Sequence, residues 1–220
     1  MGRLSLSSPL FLASFALCAG RSSTDDAYEH RYPFDEGAGS VAVDAAGTAP
    51  GALGPDAGRT SGGAIRLHGN ARSYVSWERL LGQFGTEDFA VSFRLRMGHG
   101  RELQEVLGNR SSFGHGNFFQ VRVNEGMVVA EIDQDEEGTN YAAAVSRTRV
   151  NDERWHQVRV VRRGRRLTVR IDGKLESMGE GRGVANVRND APFRAGTSAV
   201  AETYGGFLQG DLDDLVVASP

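Results

Sequence analysis

The chain has one cysteine in 220 residues, and that residue, Cys18, sits inside an N-terminal apolar segment. Once the segment is removed, the mature chain has no disulfide, no thiolate metal site and no cysteine nucleophile. Packing, or a bound ion, must then hold it together. Long apolar runs are also missing: the stretch from about Leu10 to Ala19 is too short for a membrane span. No part of the mature chain keeps helical apolar spacing for three turns, which argues against a helical bundle. There is no excess of basic charge, and a formal net charge of −3 argues against a general nucleic-acid binder. G-x-S-x-G, H-E-x-x-H and phosphate-loop patterns are absent, and His30, His68, His99, His115 and His156 are scattered rather than clustered. No low-complexity linker or charge block divides the chain.

At the N-terminus, MGRLSLSSPLFLASFALCAG places Arg3 before an apolar run that is followed by polar RSSTDDA. This reads as a secretory signal peptide over 1–20, a short linker over 21–27 and one domain over 28–220, in a secreted protein of the extracellular space or periplasm. Cys18 stands where a bacterial lipoprotein carries its acylated cysteine, although Leu17 is bulky for the preceding position. Removal with the signal is the first expectation and a lipid anchor on Cys18 the alternative.

Glycine (29 residues), valine and threonine recur between short alternating runs. The clearest is residues 150–178, VNDERWHQVRVVRRGRRLTVRIDGKLESM, where Val158 and Val160, then Leu167, Val169 and Ile171, mark a hairpin closed by Asp172-Gly173. Trp155 reads as core. Further strands are expected at 28–34, 64–67, 74–77, 89–97, 103–108, 118–123, 127–132, 141–146, near Phe193 and at 212–217. Residues 45–63 read as long surface loops, 78–85 as a single helical turn, and 179–183 as a turn. Many short strands separated by turn signals predict an all-β, two-sheet antiparallel sandwich.

The segments YPFDEGAGSVAVDAAG, SGGAIRLHGNARSYVSW, DFAVSFRLRM, NDERWHQVRVVRRGRRLTVRIDGK and GGFLQGDLDDLVVASP follow one another in an order that resembles bacterial laminin-G-like, or concanavalin A-like, jelly rolls. The resemblance implies two sheets of six or seven strands each, with ligands at the concave face or loop rim. It leaves activity open, because such domains include lectins, adhesion modules, glycan hydrolases and lyases.

Three groups of residues carry the candidate chemistry. Glu131-Ile132-Asp133-Gln134-Asp135-Glu136 resembles the E-x-D-x-(x)-E signature of laminarinase-like hydrolases, and in a strand Glu131, Asp133 and Asp135 would share a face. A retaining mechanism needs two such carboxyl groups about 5 Å apart, here drawn from Glu131, Asp133 and Glu136. A charged hairpin tip explains the same letters. The second group is a basic ribbon of Arg159, Arg162, Arg163, Arg165, Arg166 and Arg170, whose guanidinium groups suit sulfate and carboxylate, with Arg159 and Arg170 the ligand-binding candidates. Its structural alternative is a solvated face that blocks edge pairing. The third is calcium. Asp133, Asp135 and Glu137 before Gly138 have the oxygen spacing of half a calcium loop. The resemblance implies Asn117 as a partner and Asp213 as a ligand in the last strand; for Asp213, surface exposure or hydrogen bonding to turn amides is the first expectation and calcium the second. His156 reads as a structural hydrogen bonder. The expected function is a non-catalytic recognition module for extracellular glycan or a cell-surface protein, calcium-assisted. The alternatives are a glycan hydrolase or lyase of the same fold and a structural envelope protein.

Overall fold

The computed structural model describes residues 29–219. The expected signal over 1–20, with Cys18, and the linker over 21–27 lie outside the described residues. In chain order the strands are β1 (Glu29–Tyr32), β2 (Val41–Ala42), β3 (Gly51–Leu53), β4 (Gly58–Arg59), β5 (Ile65–His68), β6 (Val75–Ser76), β7 (Phe89–Arg96) and β8 (Leu103–Gly108). They continue as β9 (Phe118–Asn124), β10 (Met127–Asp133), β11 (Ala142–Arg149), β12 (Trp155–Arg163), β13 (Arg166–Ile171), β14 (Lys174–Glu180) and β15 (Arg194–Ala195). A single turn of helix, α1 (Ala201–Tyr204), precedes the last strand, β16 (Gln209–Ala218). Two antiparallel sheets of eight strands face each other: β14-β13-β12-β7-β16-β5-β4 with β1 added on β16, and β11-β10-β9-β8-β15-β6-β3-β2.

The alternation that predicted β7 sets its role. Phe89, Val91, Phe93 and Leu95 are buried while the residues between them are half-exposed, so one face of the strand packs against the opposite sheet. Pairing of β7 with β12 in the register Val158↔Phe93 and Val160↔Val91 aligns the apolar rows across the sheet. Between the sheets Phe84 stacks on Phe89 at 4.1 Å, Phe89 meets Phe119 edge-on at 4.8 Å, and Tyr32 lies 5.1 Å from Trp77. Large rings at this spacing bury much of the apolar area that drives folding.

Five expectations are corrected. Each sheet has eight strands rather than six or seven, because β2, β3 and β4 lie in or beside the glycine-rich stretch read as loop, and β14 extends through Gly179 and Glu180, read as a turn. Residues 78–85 form no helical turn: Glu78 is left-handed (φ 50°) and the Leu80 N–H closes a tight turn on the Trp77 carbonyl at 3.0 Å. Trp155 is not core. It shares the outward phase of β12, because His156, Val158 and Val160 point inward, and its ring is held between Arg94 at 4.8 Å and Arg96 at 4.9 Å.

The two sheets touch along one side, where edge strands β14 and β11 meet. Buried Glu176 on β14 accepts the backbone N–H groups of Arg147 and Thr148 on β11, both at 3.0 Å, so these donors are satisfied by a side chain from the other sheet. A Cβ at Gly179 would collide with the Ala143 carbonyl, which is backbone and has little freedom to retreat. Gly179→Ala should therefore cost about 2 kcal/mol through forced overpacking, read as a loss of roughly 4–8 °C in Tm. An unchanged Tm would mean that the seam yields easily.

Candidate functional site

On β9 and β10 the residues facing the opposite sheet are Phe119, Val121 and Val123, and Val128, Ala130 and Ile132. Their neighbours Gln120, Arg122, Glu131 and Asp133 take the outer face, which would ordinarily be wet. Yet Gln120 is 1%, Glu131 3% and Asp133 0% exposed, and Glu105 on β8 only 2%. Segment 110–116 and α1 cover them. Arg110 fixes this cover: its Nε donates to the Ser112 carbonyl at 2.9 Å, and its Nη2 to those of Phe113 at 2.8 Å and Gly114 at 3.0 Å. Its Nη1 reaches down to Gln120 Oε1 at 2.8 Å while the guanidinium lies 4.2 Å above the Phe118 ring.

Two carboxyl groups lie beneath. Glu131 accepts the Tyr141 hydroxyl on Oε1 at 2.7 Å and stands 2.9 Å from Arg122 Nε and 3.7 Å from Arg110 Nη1 through Oε2. Burial, then the adjacent Glu131 carboxylate, push the Tyr141 hydroxyl well above its usual range. Glu105 is hydrogen-bonded to Gln120 Nε2 and to the Tyr204 hydroxyl of α1. Its own pKa is pushed up to about 8 by burial, reinforced by the charge of Glu131 and only partly offset by Arg122 and Arg110. Three of the four oxygens of the pair are hydrogen-bonded to protein, and Glu131 Oε2 meets Arg122 and Arg110 as ion pairs without a hydrogen bond.

The acidic signature is not assembled as read. β10 ends at Asp133, and Asp135 turns left-handed (φ 64°) to accept the Thr139 N–H at 3.1 Å. That backbone hydrogen bond holds the Asp135 carboxyl below its ordinary range. Only Glu131 and Asp133 therefore share the outer face, and Glu136 and Glu137 are exposed beyond the turn. Asp133 pairs with His115 Nδ1 at 2.6 Å and caps the Gln134 N–H at 2.8 Å. Gly138, left-handed at φ 66°, packs so close to the His115 ring that a Cβ there would strike it.

The register does bring Asn117 beside this turn, since Phe118 pairs with Asp133. Asn117 Nδ2 donates to the Asn186 carbonyl at 2.7 Å, and Gln134 Oε1 accepts the Asn186 N–H at 2.9 Å, so amides knit the turn to segment 184–189. Asp213 pairs with Arg94 at 3.2 Å and accepts the Asp214 N–H at 2.9 Å; burial raises its pKa. Among the described residues, no three His, Cys, Asp or Glu side chains are grouped as a metal-ligand set.

The basic ribbon lies on the outer face of the other sheet. Arg162 does not belong to it: the residue is on the inward phase, 0% exposed, and donates to the Ala185 carbonyl at 2.8 Å and to those of Gly85 and Glu87. The remaining arginines form two like-charged rungs, Arg159↔Arg170 and Arg163↔Arg166, directly opposite one another across β12 and β13 on either side of Val161↔Thr168. They line an open groove of about 710 Å³ with Arg165 and Glu180. Glu180 pairs with Arg165 at 2.8 Å and more loosely with Arg166 at 3.8 Å. Among the described residues no carboxylate is within ion-pair reach of Arg159, Arg163 or Arg170. β13 is flanked by β12 and β14, so these charges guard no sheet edge. At the far end of the hairpin His156 is held between Asp172 at 2.9 Å and Asp152 at 3.0 Å. Burial alone would lower its pKa, but the two carboxylates outweigh burial and raise it, as befits a structural imidazolium.

Sequence reasoning missed Glu105, Arg110, Phe113, Arg122 and Tyr204. The one available signal was the phase of FFQVRVN, which puts Gln120 and Arg122 on the face opposite the core; nothing in the letters shows that a loop and a helix cover that face.

A family model described as the concanavalin A-like lectin/glucanases superfamily matches residues 68–219. No curated protein matches the chain by sequence. Among solved structures, the binding domain of Paraclostridial Mosquitocidal Protein 1 superposes with a TM-score of 0.66 at 14% identity, over 86% of this chain and 49% of that one. The botulinum neurotoxin serotype D ligand-binding domain, solved in complex with N-acetylneuraminic acid, gives 0.64 at 14% identity over 86% and 47%. Domains LG4-5 of the mouse laminin α1 chain give 0.53 at 16% identity over 71% and 42%. The chain spans about half the length of the toxin domains it matches, and the likeness is one of fold.

Proposed function

The chain belongs to the concanavalin A-like lectin/glucanase superfamily, and from that premise we propose that it is a secreted, non-catalytic recognition module that binds anionic extracellular glycan along the β12–β13 groove. The observation that carries the reading is the pair of like-charged rungs. Identical charges directly opposite one another on a sheet destabilise it, and here one such pair stands within the β12–β13 ladder and a second closes it at the hairpin turn, with one glutamate among them. A bound polyanion removes that repulsion and gains charge-assisted hydrogen bonds. Arg159 and Arg163 are four residues apart on one strand, about 13 Å, which gives a track rather than a point. The sugar bound by the serotype D toxin domain is itself an anion, in keeping with a cationic surface for this fold.

Binding of a sulfated oligosaccharide, followed by calorimetry, should fall steeply between low and high salt because the contacts are exposed and screened. The double variant Arg159→Ala/Arg170→Ala should bind about a hundredfold more weakly, from the loss of two charged hydrogen bonds at roughly 1.5 kcal/mol each. Salt-independent binding, or an unchanged double variant, would remove the groove from the account.

A further inference from the structure

On the opposite face of the sandwich, a cavity of about 690 Å³ opens beside α1, lined by Arg101, Leu103, Arg110, Phe113, Arg122 and Tyr204 among others. We propose that it is a second binding site, specific for a carboxylated pyranose, an acidic sugar of the hexuronate class. Its carboxylate would lie on Arg122 and its ring on Phe113. The proposal stands apart from the arginine groove, sharing no residue with it.

The volume lies in the range of small-ligand sites, and the walls pair a stacking surface with an anion receptor. Phe113 is 55% exposed and leans on the Tyr204 ring at 5.3 Å. An apolar ring presented to water in this way is the surface on which the C–H face of a sugar packs. It is also preorganised, because Arg110 grips the carbonyls of Ser112, Phe113 and Gly114 and is itself anchored on Gln120 and Phe118. Arg122, a residue of the cavity wall, has its Nε beside Glu131, and among the described residues its two terminal nitrogens have no hydrogen-bond partner. Two parallel N–H donors on a half-buried guanidinium fit one carboxylate bidentately. Arg101 ties the rim to α1 through the Gly205 carbonyl. The charges agree: Arg101, Arg110 and Arg122 face Glu102 and Glu131, while buried Glu105 keeps its proton at neutral pH. The cavity is therefore net positive.

The test uses the protein and four probes: methyl glucuronide, methyl galacturonide, methyl glucoside and acetate, titrated by NMR. One or both uronides should bind with a Kd of about 1 mM or tighter, at least about tenfold more tightly than the glucoside or acetate. Phe113→Ala, an exposed position, should weaken the uronide about tenfold, and Arg122→Lys should reduce the preference over the glucoside. Arg159→Ala/Arg170→Ala should leave this binding unchanged, which separates its failure from failure of the groove. Three results would overturn the proposal: no saturable uronide binding, equal binding of acetate, or binding indifferent to Phe113→Ala.

Discussion

Arg162→Met is expected to lower the stability of the domain by about 4 kcal/mol, a drop of roughly 10 °C in Tm. The guanidinium is fully buried, lies 4.9 Å over the Phe89 ring and satisfies the carbonyls of Ala185, Gly85 and Glu87. Methionine refills most of the volume, so the loss is one of hydrogen bonding: the Gly85 carbonyl keeps the Val187 N–H at 3.0 Å, but those of Ala185 and Glu87 lose their side-chain donor in a dry pocket, and each unsatisfied buried group costs about 1–3 kcal/mol. The neighbouring Arg163→Met supplies the control, because Arg163 is exposed and a surface substitution should stay within about 0.5 kcal/mol. Chemical denaturation of both variants reads the difference. Equal losses in the two would mean that Arg162 is dispensable to the fold.

Glu105→Gln is expected to do the reverse, stabilising the protein at alkaline pH. The folded protein holds the Glu105 proton up to about pH 8, whereas the unfolded chain releases it near 4.5. Between those limits the native state binds more protons than the unfolded state, so stability falls as pH rises. The contribution is whole below about pH 4.5 and gone above the folded pKa. Each unit of separation is worth about 1.4 kcal/mol at the limit. The glutamine variant, neutral throughout and able to bond both Gln120 and Tyr204, should match the parent near pH 4.5 and exceed it by on the order of 3 kcal/mol at pH 8. His156, whose raised pKa also withdraws stability as pH rises, acts in both proteins and cancels in the difference. Parallel stability curves across pH 4.5–8 would show that Glu105 ionises in the folded state without cost.

The parts of the fold legible in the sequence were those in which period and polarity agree. β7 alternates without a break, and Asp172-Gly173, both left-handed at φ 51° and 80°, form the hairpin turn that the D-G pair announces. β14 was illegible because its chemistry is inverted: Leu175 and Met178 are half-exposed while Glu176 points inward to the β11 amides. β2, β3 and β4, with two or three residues each, are too short to show any period. Arg162 and Trp155 occupy places opposite to those their polarity suggests, because the strand phase, set by Val158 and Val160, overrides the preference of one residue. For the sites, the rungs of Arg159 and Arg170 follow from hairpin register alone. The cavity beside α1 does not, since its parts come from β8, β9, a loop and a helical turn widely spaced along the chain.

β1 pairs with β16 antiparallel, from Glu29↔Ala218 to Tyr32↔Leu215, so the two ends of the described chain lie side by side. A tether pulled at both ends loads this short ladder like a zipper, with one rung under tension at a time, and does not shear the whole sheet at once. β1 then peels away first, as far as Tyr32, whose buried ring anchors it in the core. β16 stays held by β7 and β5, and the arginine groove and the cavity beside α1 keep their shape while the slack is taken up. Under such a load the β1–β16 ladder is where the module would yield first.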